Sequence, residues 1–160
     1  MREMLAPVPT PIGVGPRYHP RPAVHAPCAP GVLRTGSRAH VELFANGRVV
    51  IVPAAIGVGG ARFELGRVRS ARCRARVWTV EPTGVVQFEG RTTLRNLFGV
   101  WGTRLAPGRL LSFTGAVRVY VNGARRRGDP RTLVLRDRDE VVLEVGPFIP
   151  PHVSYRFPPH

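Results

Sequence analysis

The chain has 160 residues, enough for one domain that buries ~70% of its unfolded surface without disulfide or metal staples. Its net charge of +14 comes from 24 arginines with no lysine, set against ten acidic residues, a balance that attracts polyanions whether or not one is the partner. No apolar run approaches the ~20 residues of a membrane helix, and two cysteines are too few to set up a disulfide framework.

Eight of the 17 prolines fall in residues 1–30, so residues 1–38 are expected to form an irregular extension. Its opening, "MREMLAPVPTPIGVGPRYHP", contains no signal-peptide core, and the expected location is cytoplasmic by default. The ordered domain, residues 39–149, starts with "HVELFANGRVVIVP". Asn46-Gly47 between alternating residues predicts a hairpin with a type I′ turn, and Val41, Leu43, Val49 and Ile51 are its expected core positions. "AAIGVGGARFELGRVR" is broken by glycines and yields no element.

"RCRARVWTV" and "VVQFEG" predict a second hairpin around Glu81-Pro82-Thr83-Gly84, in the register Val80–Val85, Trp78–Gln87 and Arg76–Glu89. One face then carries Val77, Thr79, Val86 and Phe88 toward a core. The other carries Arg72, Arg74, Arg76, Trp78, Val80, Val85, Gln87 and Glu89, with Arg76–Glu89 as a cross-strand ion pair. Leu94, Leu97, Phe98 and Trp101 fall at i, i+3, i+4 and i+7, one face of a short helix capped by Thr93 and stopped at Gly102. "AVRVYVNG" predicts a strand with Val117, Val119 and Val121 inward, and "DEVVLEVG" the last strand. Five prolines after Gly146 keep residues 150–160 out of a central sheet, as an extended tail along the surface. These elements predict an α+β fold: a small mixed β-sheet with one short helix, β-grasp-like in arrangement, with proline-rich extended termini.

Enzymatic motifs are missing. Asp137, Asp139 and Glu140 sit among arginines in "RDRDE" and read as an ion-paired surface. "GVGGAR" lacks the lysine and spacing of a phosphate loop, and Ser37, Ser70, Ser112 and Ser154 lack a nucleophile-elbow context. His19, His25, His40, Cys28 and Cys73 do not have standard metal-ligand spacing, so His40, Cys28 and Cys73 are only weak metal candidates. Cys28 and Cys73 could instead be joined, pinning the extension to the hairpin, which would argue for an oxidising compartment.

From "AHVELFANGRVVIVPAAIGV" to "SYRFPPH", with "TLRNLFGVWGTRL", "VRVYVNG", "GDPR" and "LEVGPFIPPH" between, the chain resembles a poorly characterised bacterial family of small, often extracytoplasmic proteins over ~120 residues. In that family the hairpin carries a cysteine, then His-Thr-His-Asp, a glycine turn, and a histidine before a glutamate. Cys73, Thr79, Gly84 and Glu89 match the cysteine, threonine, glycine and glutamate, whereas Trp78, Val80 and Gln87 stand where the histidines would be. The resemblance implies a metal site in relatives that is degenerate here, with His40 as a remaining position.

The function expected from these features is a non-catalytic binding or interaction module without a cofactor. Its contact surface for an unknown protein or small ligand would centre on Trp78, Val80, Val85 and Gln87. The runner-up is a polyanion or nucleic-acid binder using Arg72, Arg74, Arg76, Arg125, Arg126 and Arg127, and a third reading is a thiol or metal protein.

Overall fold

Asn46-Gly47 and Asn122-Gly123 both turn a hairpin with φ between 52° and 85°, the left-handed conformation that Asn and Gly tolerate best. The computed structural model describes residues 8–9 and 28–159. Most of the expected extension, His19 and His25 included, lies outside the described residues.

The first Asn-Gly turn joins β1 (Ser37–Ala45) to β2 (Arg48–Val50), and the second joins β5 (Arg118–Val121) to β6 (Ala124–Arg126). β7 (Glu140–Val145) lies between β1 and β5, parallel to β1 and antiparallel to β5. The sheet order is therefore Val8–Pro9, then β2-β1-β7-β5-β6, with Val8–Pro9 lying parallel to β2. The second predicted hairpin, β3 (Val77–Trp78) and β4 (Val85–Phe88), pairs with the N-terminal half of β1, next to β2 on the same edge. This mixed sheet with one short helix is the expected α+β fold.

The helix α1 (Leu94–Trp101) has the predicted limits. Thr93 Oγ1 accepts from the Asn96 amide while Asn96 Oδ1 accepts from the Thr93 amide at 2.8 Å, and Gly102 at φ 81° ends the helix with its N–H on Phe98 O. Leu94, Leu97, Phe98 and Trp101 are buried against Val41, Leu43, Val86, Val119, Val141 and Leu143. Each such side chain contributes roughly 1.5–3 kcal/mol on burial.

One register expectation needs correcting. The two-residue turn sets Leu43 opposite Val50, and cross-strand partners share a face. Val50 and Val52 therefore enter the core rather than Val49 and Ile51, and Val49 packs on the other face beside Phe44, Tyr120 and Val142.

That other face carries Arg38, His40, Glu42 and Phe44 from β1 and Glu140, Val142 and Glu144 from β7. The C-terminal segment runs over it without regular secondary structure, with Phe148 beside Tyr120, His152 on Glu42 and Tyr155 on His40. Arg118 holds the start of this strap, donating through Nη2 to Glu144 Oε1 (3.1 Å), Gly146 O (2.8 Å) and Pro147 O (3.2 Å). Among the described residues no helix is long and apolar enough to cross a membrane.

Candidate metal centre

Strand alternation puts His40 and Glu42 on one face of β1, and the parallel register sets Glu140 directly beside His40. The ligand atoms of these three side chains lie within 4.8 Å of one another. His40 is buried and Glu140 is wholly buried at 0% exposure. From the strap, Tyr155 stacks flat on the His40 ring at 3.6 Å, and His152 Nδ1 reaches Glu42 Oε2 at 2.8 Å while remaining half-exposed.

The two ring nitrogens of His40 face different groups. Nε2 lies 2.8 Å from the Thr83 carbonyl oxygen, which can only accept, so Nε2 carries a hydrogen. Gly84 makes this approach possible: at φ +85° any Cβ there would lie 2.6 Å from Val41 O and 3.0 Å from His40 Nε2. Nδ1 points at carboxylates, 2.8 Å from Glu140 Oε2 and 3.5 Å from Glu42 Oε1. A lone pair and two carboxylates do not converge without positive charge between them. Either a proton or a metal ion fills that role.

Burial pushes the Glu140 carboxyl above its ordinary value; the hydrogen bond and charge of His40 oppose this, and Glu42 adds to it. The Tyr155 hydroxyl is raised by burial and then by the negative charge of Glu140. Glu140 Oε1 is buried with no hydrogen-bond partner among the described residues. Glu144, equally buried, takes Arg118 as its counter-charge and likewise keeps one oxygen, Oε2, without a hydrogen-bond partner, whereas among the described residues no arginine pairs with Glu140. One imidazole and two carboxylates, with a second imidazole at the mouth, match the donors that first-row divalent metals accept. The Nε2–H to carbonyl bond is the outer contact that orients a ligating histidine.

The expected contact surface lies elsewhere and is largely covered. The register is as expected, with Trp78 opposite Gln87, but Trp78 is 0% exposed and Val80 is buried. A disulfide between Cys28 and Cys73 lashes residues 28–36 over them. Ala29 pairs with Arg74, Trp78 Nε1 donates to Leu33 O at 2.7 Å, and Gln87 Oε1 accepts from the Thr35 amide at 3.1 Å. What remains open beside Val80, Val85 and Gln87, between Arg34, Arg38 and Pro158, is a cleft of about 30 Å³, room for one water. Trp78, Val80 and Gln87 are thus internal packing and not a docking face. The disulfide also removes both cysteines from any metal set.

The arginine face does not form as one surface. Arg74 is buried, donating to Val32 O and Glu89 and lying 3.8 Å over the Trp78 ring. Glu89 thus pairs with Arg74 instead of Arg76, which donates to the Glu89 carbonyl. Arg72, Arg74 and Arg76 flank β3 at one edge of the sheet, while Arg125, Arg126 and Arg127 lie on or after β6 at the other. Arg126 and Arg127, with Arg136, line an open groove of about 370 Å³.

Glu140 was expected at an ion-paired surface. That was wrong, because it starts β7 and alternation turns it under the strap. The spacing i, i+2 from Glu140 through Val142 to Glu144, against an all-apolar opposite phase, was the available signal. No family model, curated protein or solved structure matches this chain.

Proposed function

We propose that the protein is a non-catalytic binding domain whose ligand is a divalent first-row transition-metal ion, held by His40 Nδ1, Glu42 and Glu140 with His152 at the mouth. The observation that carries this reading is the orientation of His40, with a carbonyl fixing Nε2–H and two carboxylates facing Nδ1. The clustering of ligand atoms of His40, Glu42 and Glu140 within 4.8 Å of one another supports it. So does the resemblance to a histidine-rich family, in which this chain would keep a neighbouring site after losing the hairpin histidines. The sheet order and single helix support a β-grasp-like reading of the fold, which by itself assigns no activity. The Cys28–Cys73 disulfide supports an oxidising compartment over the cytoplasm.

The test is calorimetric titration of the metal-stripped protein with Zn(II) and Co(II), paired with intact mass under native and denaturing conditions. One equivalent should bind, be lost on denaturation, and fail to bind Glu140→Gln, a variant of the same shape. Absence of both heat and adduct in the wild type would mean that a proton alone bridges His40 and Glu140, and the metal reading would be abandoned.

A further inference from the structure

Three hairpins of this chain turn on two residues with nearly the same backbone: Asn46-Gly47, Asn122-Gly123 and Leu65-Gly66, with φ of 53° and 80°, 52° and 85°, and 51° and 76°. Two of them use asparagine at the first position, which tolerates the left-handed region. The third uses leucine, whose Cβ crowds the following carbonyl there. Other non-glycine residues at positive φ have visible returns. Leu111 is buried in the core, Ala55 packs beside Trp78, and Arg138 donates its amide to Arg38 O and lies over Phe157. Leu65 has none, being 96% exposed.

The hairpin, Arg62–Glu64 with Arg67–Ser70, is anchored through Val68 of its second strand, one rung from the turn. Val68 is buried against Trp78 and Val80 and its amide donates to Val80 O at 2.9 Å. Its tip stands free, and Phe63 is 58% exposed two residues before Leu65. Four arginines, Arg62, Arg67, Arg69 and Arg72, lie on the hairpin or just past its base with only Glu64 among them. Glu64 pairs with Arg69, and Arg67 lies 3.6 Å from Glu81, leaving Arg62 and Arg72 without an acidic partner among the described residues.

We propose that this hairpin docks the protein on an anionic lipid surface, with Leu65 and Phe63 entering the acyl boundary and the arginines engaging phosphate headgroups. The order of chemistry along the hairpin, apolar at the apex and cationic behind it, is the order met on entering a negatively charged bilayer. A convex tip with two apolar side chains is far smaller than the ~800 Å² per partner that a stable protein interface needs. The inference stands independently of the metal reading.

The test is co-sedimentation of the full chain with phosphatidylcholine vesicles, with and without phosphatidylglycerol, at low and physiological salt. Leu65→Asn restores the turn chemistry of the other two hairpins, so it should melt higher than wild type. It should also bind the anionic vesicles about tenfold more weakly, the loss expected from part of a leucine's burial. Arg62→Gln with Arg69→Gln should weaken anionic binding further and leave neutral vesicles unaffected. Equal partition of wild type onto neutral and anionic vesicles would overturn the proposal, as would wild-type binding by Leu65→Asn, which would leave only a charge-driven association.

Discussion

Cutting the Cys28–Cys73 crosslink, by Cys28→Ser with Cys73→Ser, should cost about 4 kcal/mol. The bond closes a loop of 45 residues in the unfolded chain, and the chain-entropy expression gives that figure at 25 °C. For 160 residues, at ~2–4 °C per kcal/mol, the melting midpoint should fall by roughly 8–16 °C. The loss is also local. Residues 28–36 stay docked through Ala29 on Arg74, Val32 O on Arg74 and Leu33 O on Trp78, bonds each worth only ~1 kcal/mol net. Freed at one end, this segment should open before the sheet melts and uncover Trp78, while Trp101, at the end of α1, stays buried in the main core. Circular-dichroism melts with and without reductant measure the first effect. Acrylamide quenching in a Trp101→Phe background, where Trp78 is the remaining tryptophan, measures the second. A midpoint change below ~2 °C together with unchanged quenching would refute the reasoning, because the segment would then be held by its contacts alone.

Burial raises the Glu140 carboxyl, so the folded protein holds a proton that the unfolded chain releases. The stability this supplies to the metal-free protein is complete below the ordinary value of 4.5 and is lost as pH rises through the raised one. Because a metal must displace that proton, the rise in melting midpoint given by Zn(II) should grow with pH, and Glu140→Gln should flatten both profiles in thermal scans from acid to neutral pH. Gly84→Ala should cost roughly 1–3 kcal/mol in urea melts and lower metal stoichiometry, since the new methyl strains φ +85° and presses on Val41 O and His40. Thr93→Ala should cost about 1 kcal/mol in the same melts with metal binding unchanged, because it removes only the helix cap.

What was legible in the chain was whatever local chemistry decides. Leu94, Leu97, Phe98 and Trp101 share a helical face at any tertiary position, Thr93 and Gly102 cap it by their own conformational preferences, and Asn-Gly turns a hairpin without help. The Leu65-Gly66 turn went unread because leucine is not a turn signal, and only the strands' pairing forces it there. Trp78 was misplaced for a different reason. Its hairpin and register were legible, but whether that face meets solvent depended on a segment 45 residues upstream, tied by a bond that cysteine counting leaves open.

The His40–Glu42–Glu140 cluster was hidden by distance and by composition together. His40 and Glu140 are 100 residues apart and meet only because β1 and β7 pair in parallel, a choice that alternation along either strand does not encode. In a chain with 24 arginines, a glutamate beside "RDRD" reads as one more surface ion pair. Yet β7 places two carboxylates on the same face, two turns of the pleat apart, and treats them differently. Glu144 receives Arg118, a fixed charge that no ligand need replace, and the same arginine fastens the strap. Glu140 receives the imidazole of His40, itself stacked on Tyr155, and each of the two glutamates leaves one carboxylate oxygen unbonded among the described residues. With arginine so plentiful, a position that only needed neutralising had an easy solution four residues away. A buried carboxylate kept on histidine is instead suited to exchanging one cation for another.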